Sequence, residues 1–125
     1  MAQSCYCGTG IPFSECCEPF LKRVKNAPTA EKLMRSRYSA YATQEVDYLI
    51  FSTHNSQRKF YSKSEILDWS RSNQWVKLEV LNATENQVEF KAYFIDSNLK
   101  AQIHHEKSTF KEENGIWYYV DGTFY

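Results

Sequence analysis

Past residue 17 the chain has no cysteine, and nowhere does it hold the ~20 consecutive apolar residues of a membrane span. It also has no net charge, because 15 Lys and Arg are balanced by 15 Asp and Glu. The neutral balance argues against bare nucleic acid as a partner and leaves the ribosome as the one route to RNA. The short basic run Lys22-Arg23-Val24-Lys25 reads as solvated surface. The start, Met1-Ala2-Gln3-Ser4-Cys5, lacks a basic segment followed by an apolar one, so no secretory signal is expected and the expected compartment is the reducing cytoplasm. At 125 residues the chain is long enough to fold as one ordinary domain with a small appendage and without cross-links.

What it has in quantity is aromatic side chains: nine Tyr, eight Phe and three Trp. That load suits a packed core or a concave pocket better than a disordered tail. Composition divides the chain. Residues 1–22 carry all four cysteines, Gly8, Gly10, Pro12 and Pro19, with almost no apolar periodicity, and cannot build a core alone. Residues 23–125 carry the periodic patterns. From 29 to 71 the spacing is helical. Thr29 is placed to cap a helix with Glu31 in its first turn, and Ala30, Leu33, Met34, Tyr38, Tyr41 and Ala42 give it an apolar face. A break near Thr43-Gln44 separates this helix from a second around 46–53. A third opens on the capping-box pattern Ser62-Lys63-Ser64-Glu65.

After Asn73 the period changes to two. Val76, Leu78 and Val80 form one alternating run, and Val88, Phe90, Ala92 and Phe94 a second. A third strand is expected over 100–111 and a fourth over 116–120. Turns fall at 82–86, 96–98 and Glu113-Asn114-Gly115. Helices followed by a four-stranded antiparallel meander make the fold α+β.

The cysteines are spaced Cys5-x-Cys7-x8-Cys16-Cys17. Two close pairs joined by a short loop can bring four thiolates to one tetrahedral zinc ion, and a site with four protein ligands leaves no position for water and is structural. Gly8 and Gly10 lie in the loop, where tight turns are needed. A disulfide and an iron–sulfur cluster are the alternatives. The first is disfavoured by a reducing compartment, the second by the spacing. No Cys-x-x-Cys redox pair occurs.

A second candidate site comes from the strands. Alternation puts Glu106, Ser108 and Phe110 on one face of the third strand and His105, Lys107 and Thr109 on the other. On the fourth strand it puts Trp117, Tyr119 and Asp121 together. With Tyr38, Tyr41 and Asp47 from the helices, these residues would form an aromatic cavity holding an acid and a hydroxyl. The alternative is structural, with Glu106 paired to Arg35 or Arg37 and Ser108 bonded locally. His104 and His105 face opposite sides of their strand, so they cannot share a metal, and His104 is expected to face solvent. No residue is assigned a catalytic role.

The segment from Cys5 to Cys17, Cys-Tyr-Cys-Gly-Thr-Gly-Ile-Pro-Phe-Ser-Glu-Cys-Cys, resembles the SEC-C motif, the zinc-binding tail of the bacterial preprotein translocase ATPase. Thr9 stands where Ser is usual, and Glu18-Pro19 where Gly is common. Arg37-Tyr38-Ser39-Ala40-Tyr41, Asp47-Tyr48-Leu49, residues 105–110 and residues 117–122 resemble the YchJ-type family of uncharacterised bacterial proteins. That resemblance implies a nuclear-transport-factor-2-like (NTF2-like) cone, with helices packed on a curved sheet, and an N-terminal zinc knuckle. Some members carry a second SEC-C segment at the C-terminus; this sequence ends at Tyr125 without one. The functional expectation is non-enzymatic. The knuckle would display Tyr6, Ile11, Pro12, Phe13, Phe20 and Leu21 to a protein partner, by resemblance a chaperone, translocation or ribosome-associated one. The alternative is small-molecule binding or catalysis in the cone. A homodimer through the outer sheet face is compatible with either.

Overall fold

A computed structural model describes residues 3–125. A short helix α1 (Glu18–Leu21) closes the cysteine segment and is followed by α2 (Ala30–Thr43), α3 (Val46–Phe51) and α4 (Lys63–Ser72). Thr29 caps α2, its side chain accepting from the Lys32 amide at 3.1 Å. The helix stops where Gln44 turns left-handed, at φ 63°, and Glu45 N–H donates to Ala40 O at 2.8 Å. Ser62 caps α4 in the same way, accepting from Glu65 N–H at 3.3 Å.

Strands β1 (Gln74–Ala83), β2 (Gln87–Ile95), β3 (Ala101–Glu113) and β4 (Ile116–Phe124) form one antiparallel sheet in sequence order. The β3–β4 hairpin turns at Asn114-Gly115, both with positive φ. The segment after α3 is stitched to the sheet by Tyr119 N–H to Ser52 O (2.8 Å) and His54 N–H to Tyr119 O (2.7 Å).

Strict alternation fails at three places. On β1, Trp75 and Lys77 oppose Phe94 and Tyr93, so Val76 is an extra residue. Leu81 is a second, between Val80 and Asn82. Both bulge residues are exposed, at 56% and 43%. Trp75 replaces Val76 on the inner face, with buried Leu78 beside it. On β4, Thr109 opposes Asp121 while Phe110 opposes Tyr119, so Val120 is the extra residue. Asp121 therefore turns outward and Gly122 inward, the reverse of what alternation predicts.

The core runs without a break from the cysteine segment into the body. Cys5, Cys7, Cys17 and Leu21 belong to the same buried cluster as Leu33, Met34, Leu49 and Val88. No helix among the described residues is long and apolar enough to cross a membrane.

Candidate metal centre and ligand cavity

The four cysteine sulfurs lie within 4.8 Å of one another. Cys7 Sγ and Cys16 Sγ are 3.7 Å apart. That is too long for a disulfide at ~2.05 Å and matches the edge, about 3.8 Å, of a tetrahedron with ~2.3 Å metal–sulfur arms. The loop is held by Cys5 N–H to Ile11 O (2.8 Å) and Cys16 N–H to Phe13 O (3.1 Å). Gly8 (φ 88°) and Gly10 (φ 82°) supply left-handed turns that side-chain-bearing residues rarely adopt.

Without a cation the thiols cannot all ionise. Hydrogen bonding from Cys17 holds Cys5 far below the usual thiol range. The same contact, then Cys7 and burial, pushes Cys17 far above it, while burial pushes Cys16 up to about 11. A divalent cation removes this conflict by holding all four as thiolates, and Cys5, Cys7, Cys16 and Cys17 are the residues that would hold it. The donor set fits a soft, tetrahedral ion. Around it, Arg35 Nη1 donates to Cys7 O at 2.8 Å, and Ser39 Oγ lies 3.6 Å from Cys5 Sγ. Both are α2 residues, so the cysteine segment packs along that helix and does not project from the body.

The second site lies on the inner face of the sheet. A cavity of about 220 Å³ opens between α2, α4 and the four strands. Trp75 is the hub of its wall, with ring centroids 5.1 Å from Trp69, 5.5 Å from Tyr41 and 6.0 Å from Tyr38. Glu106, 5% exposed, lies at its base. One carboxylate oxygen accepts from His104 Nε2 at 2.7 Å; the other accepts from Ser108 Oγ at 2.7 Å and Tyr119 Oη at 2.8 Å. Burial pushes the Glu106 carboxyl up, but hydrogen bonds from His104, Ser108 and Tyr119 outweigh it and leave it below the usual carboxylate range. Burial and then the Glu106 charge push Tyr119 far up, so it remains a donor. Gly122 leaves room for the carboxylate: a Cβ there would collide with Glu106 Oε2.

Five of the seven residues expected in the cavity are there: Tyr38, Tyr41, Glu106, Ser108 and Tyr119. Asp47 is not. It lies on the solvent side of α3, its side chain 71% exposed and paired with Lys63. Trp117 shares the inner face with Tyr119 but sits further along β4, where its indole donates to Pro28 O at 3.2 Å. Glu106 pairs with neither Arg35 nor Arg37, and Ser108 bonds to Glu106 itself.

A family model described as "YchJ, middle NTF2-like domain" matches residues 29–122. The chain belongs to the YchJ family. UPF0225 proteins of Geobacter sulfurreducens and Photorhabdus laumondii are 40% and 42% identical to it over 98% of its length, covering 80% and 81% of their own. The UPF0225 protein YchJ of Shigella dysenteriae is 38% identical over the same share. Among solved structures, a SEC-C motif containing protein from Rhodopseudomonas palustris superposes with a TM-score of 0.88 at 34% identity, covering 97% of this chain and 98% of that one. Another from Psychrobacter arcticus gives 0.82 at 32% identity, covering 98% and 83%. The family fold is thus the cone of helices on an antiparallel sheet, preceded by the cysteine segment. Within it, the Arg37–Tyr41 stretch supplies three cavity residues from one face of α2.

Sequence reasoning missed His104, Trp69, Trp75 and Tyr61 as lining residues. His104 was legible, because it shares its strand face with Glu106 and Ser108. It faces the cavity and not solvent alone, and His105 on the outer face bonds Glu89 at 2.8 Å.

Proposed function

We propose that this chain is a small-molecule-binding protein whose ligand sits in the aromatic cavity of the cone, and whose cysteine segment binds one structural zinc ion. The observation that carries the reading is the Glu106 cluster, a buried carboxylate with three donors set at the base of an open, aromatic-walled space. Apolar walls with a few converging polar groups are what small-molecule sites offer. The packed position of the cysteine segment supports a structural metal, and the reducing cytoplasm expected from the sequence suits four free thiolates. A fragment screen by crystal soaking or by amide NMR tests the cavity, with Ala92→Phe as a variant that fills it. Fragments that bind equally well to the filled variant, or an absence of any cavity ligand, would sink the reading. Elemental assay and cobalt substitution test the metal. One equivalent of zinc and a tetrahedral thiolate spectrum are expected, and far less than one equivalent refutes it.

A second reading, docking of a protein partner through the knuckle, draws support from Tyr6 and Ile11, exposed at 37% and 46%. The rest of the expected display is smaller than the sequence suggested: Leu21 is buried, and Phe13 and Phe20 pack against the core. Its test is a pull-down comparing the wild type with Tyr6→Ser/Ile11→Ser, which keeps every sulfur. An unchanged set of captured chaperone, translocation or ribosomal components removes the role.

A further inference from the structure

We propose that the cavity takes a small, flat organic acid, a conjugated ring bearing a carboxylate, whose anionic oxygens are received by Arg37 and Tyr41; the inference rests on the cavity being a ligand site. It follows from which polar groups in the cavity are already engaged and which are not. Both oxygens of Glu106 are occupied, by His104 on one side and by Ser108 and Tyr119 on the other. A cationic ligand would therefore have to break a buried network to reach the one carboxylate there.

The free groups are mostly donors. Every hydrogen bond of Arg37 runs from Nη1, to Leu49 O (3.0 Å), Ser52 Oγ (2.6 Å) and Thr53 Oγ1 (3.3 Å). Its Nε and Nη2 donate to nothing among the described residues, and neither do the hydroxyls of Tyr41 and Tyr61. All three residues line the cavity. None of these atoms is both enclosed and unpartnered, so each opens onto accessible space. Burial pushes the Tyr41 phenol up, which keeps its proton in place. The hydroxyls can accept as well as donate, but the guanidinium N–H groups can only donate, and His104 uses only Nε2, on Glu106.

Charge points the same way. Arg37 makes no salt bridge among the described residues, and its guanidinium carbon lies 4.6 Å from the centre of the Tyr119 ring. The hydroxyl of that tyrosine donates to Glu106. A guanidinium already anchored on one nitrogen, on a residue that lines the cavity and with its other N–H groups uncommitted, is preorganised for a carboxylate. The shape limits the rest of the ligand. Trp69, Trp75, Phe90 and Phe124 present rings to a space of about 220 Å³, smaller than the ~300 Å³ lower end of drug-sized sites. One ring and its acid group are what such a space accepts.

Three isosteric probes differing in charge and in hydrogen-bond donors and acceptors test this: benzoate, benzamide and benzamidinium, titrated while the indole N–H resonances are followed. Trp69 and Trp75 line the cavity, and Trp117, bonded to Pro28 O outside it, is the internal control. Benzoate should bind roughly tenfold more tightly than either of the others, as one charge-assisted pair implies. Tyr41→Phe, which removes only the hydroxyl, should weaken benzoate several-fold and leave benzamide nearly unchanged; Arg37→Lys should weaken benzoate further. If benzamide or benzamidinium binds as well as benzoate at Trp69 and Trp75, the acid inference is overturned while the cavity reading stands. Failure of all three probes where other cavity fragments bind overturns it too. Failure of every cavity ligand removes the cavity reading and this inference together.

Discussion

Replacing Glu106 by Gln keeps shape and removes charge, so it isolates what the buried carboxylate does. In the wild type two oxygens accept three hydrogen bonds of 2.7 to 2.8 Å, from His104, Ser108 and Tyr119. A glutamine can still serve these partners: its amide NH₂ can face His104, whose proton moves to Nδ1, while its carbonyl accepts from Ser108 and Tyr119. The network survives, and what is lost is charge assistance. Bonds to a charged group contribute ~1.5–3 kcal/mol each against ~0.5–1.5 for neutral ones, while removing the charge also relieves its desolvation cost, so the net loss should be about 2 kcal/mol. For a chain of this size that corresponds to a Tm lowered by roughly 6–12 °C. The pH dependence is the sharper readout. The Glu106 carboxyl is depressed in the folded state, so its contribution is fully present above the unfolded value near 4.5 and is lost as pH falls through the folded value. Urea unfolding of wild type and Glu106→Gln at pH 7 and again near pH 3.5 should show the gap closing in acid. Loss of a bound metal in acid affects both proteins alike and drops out of the difference. A gap that stays constant or widens as pH falls would refute the reasoning, because the folded state would then not be favouring the ionised carboxylate.

Gly122→Ala should cost about 2–4 kcal/mol, since the new Cβ lies within 2.8 Å of three Glu106 side-chain atoms; in a Glu106→Ala background chemical unfolding should show most of that cost gone. Arg35→Met removes the donor to Cys7 O and the bond to Glu31. It should lower metal affinity by roughly 10- to 100-fold in competition with a chromogenic chelator, and an unchanged affinity would place Arg35 outside the metal's support. Stripping the metal with a strong chelator should shift the amide resonances of Arg35 and Ser39 as well as those of the cysteine loop, because α2 and the loop share one core. Shifts confined to residues 3–17 would show that the two fold independently.

Local rules carried most of the architecture. The Thr29 and Ser62 caps, the left-handed stop at Gln44 and the Asn114-Gly115 turn all occur where residue chemistry placed them. The inward set Glu106, Ser108 and Phe110 followed from alternation, because β3 contains no extra residue between 101 and 110. Alternation failed on β1 and β4 for one physical reason: a single inserted residue inverts every later side chain, and nothing in Val76, Leu81 or Val120 as residue types announces a bulge. Asp47 was misplaced because the polar face of a six-residue helix is too short to show a period. Trp69 and Trp75 were missed because their meeting depends on how α4 packs on β1, a relation no local pattern encodes.

The metal centre and the cavity are coupled through one helix. Arg35 and Ser39, four residues apart, face the cysteine loop, while Ser36 and Arg37 bond to α3 and the segment after it. Tyr38 and Tyr41, three apart, face the cavity. Side chains at i, i+3 and i+4 share a stripe, so Arg35 and Ser39 form one stripe, and Tyr41 shares another with Tyr38 and Arg37. Ser36, Ser39 and Ala40 are fully or almost fully enclosed, and their small side chains let the loop and α3 approach the helix closely. A 14-residue helix cannot translate one stripe without the others. The cysteine segment is tied to α2 through Arg35 and Ser39, and α2 carries Arg37 and Tyr41 to the cavity. A metal held by the four sulfurs would in this way help to set the geometry of the proposed ligand site without performing any chemistry.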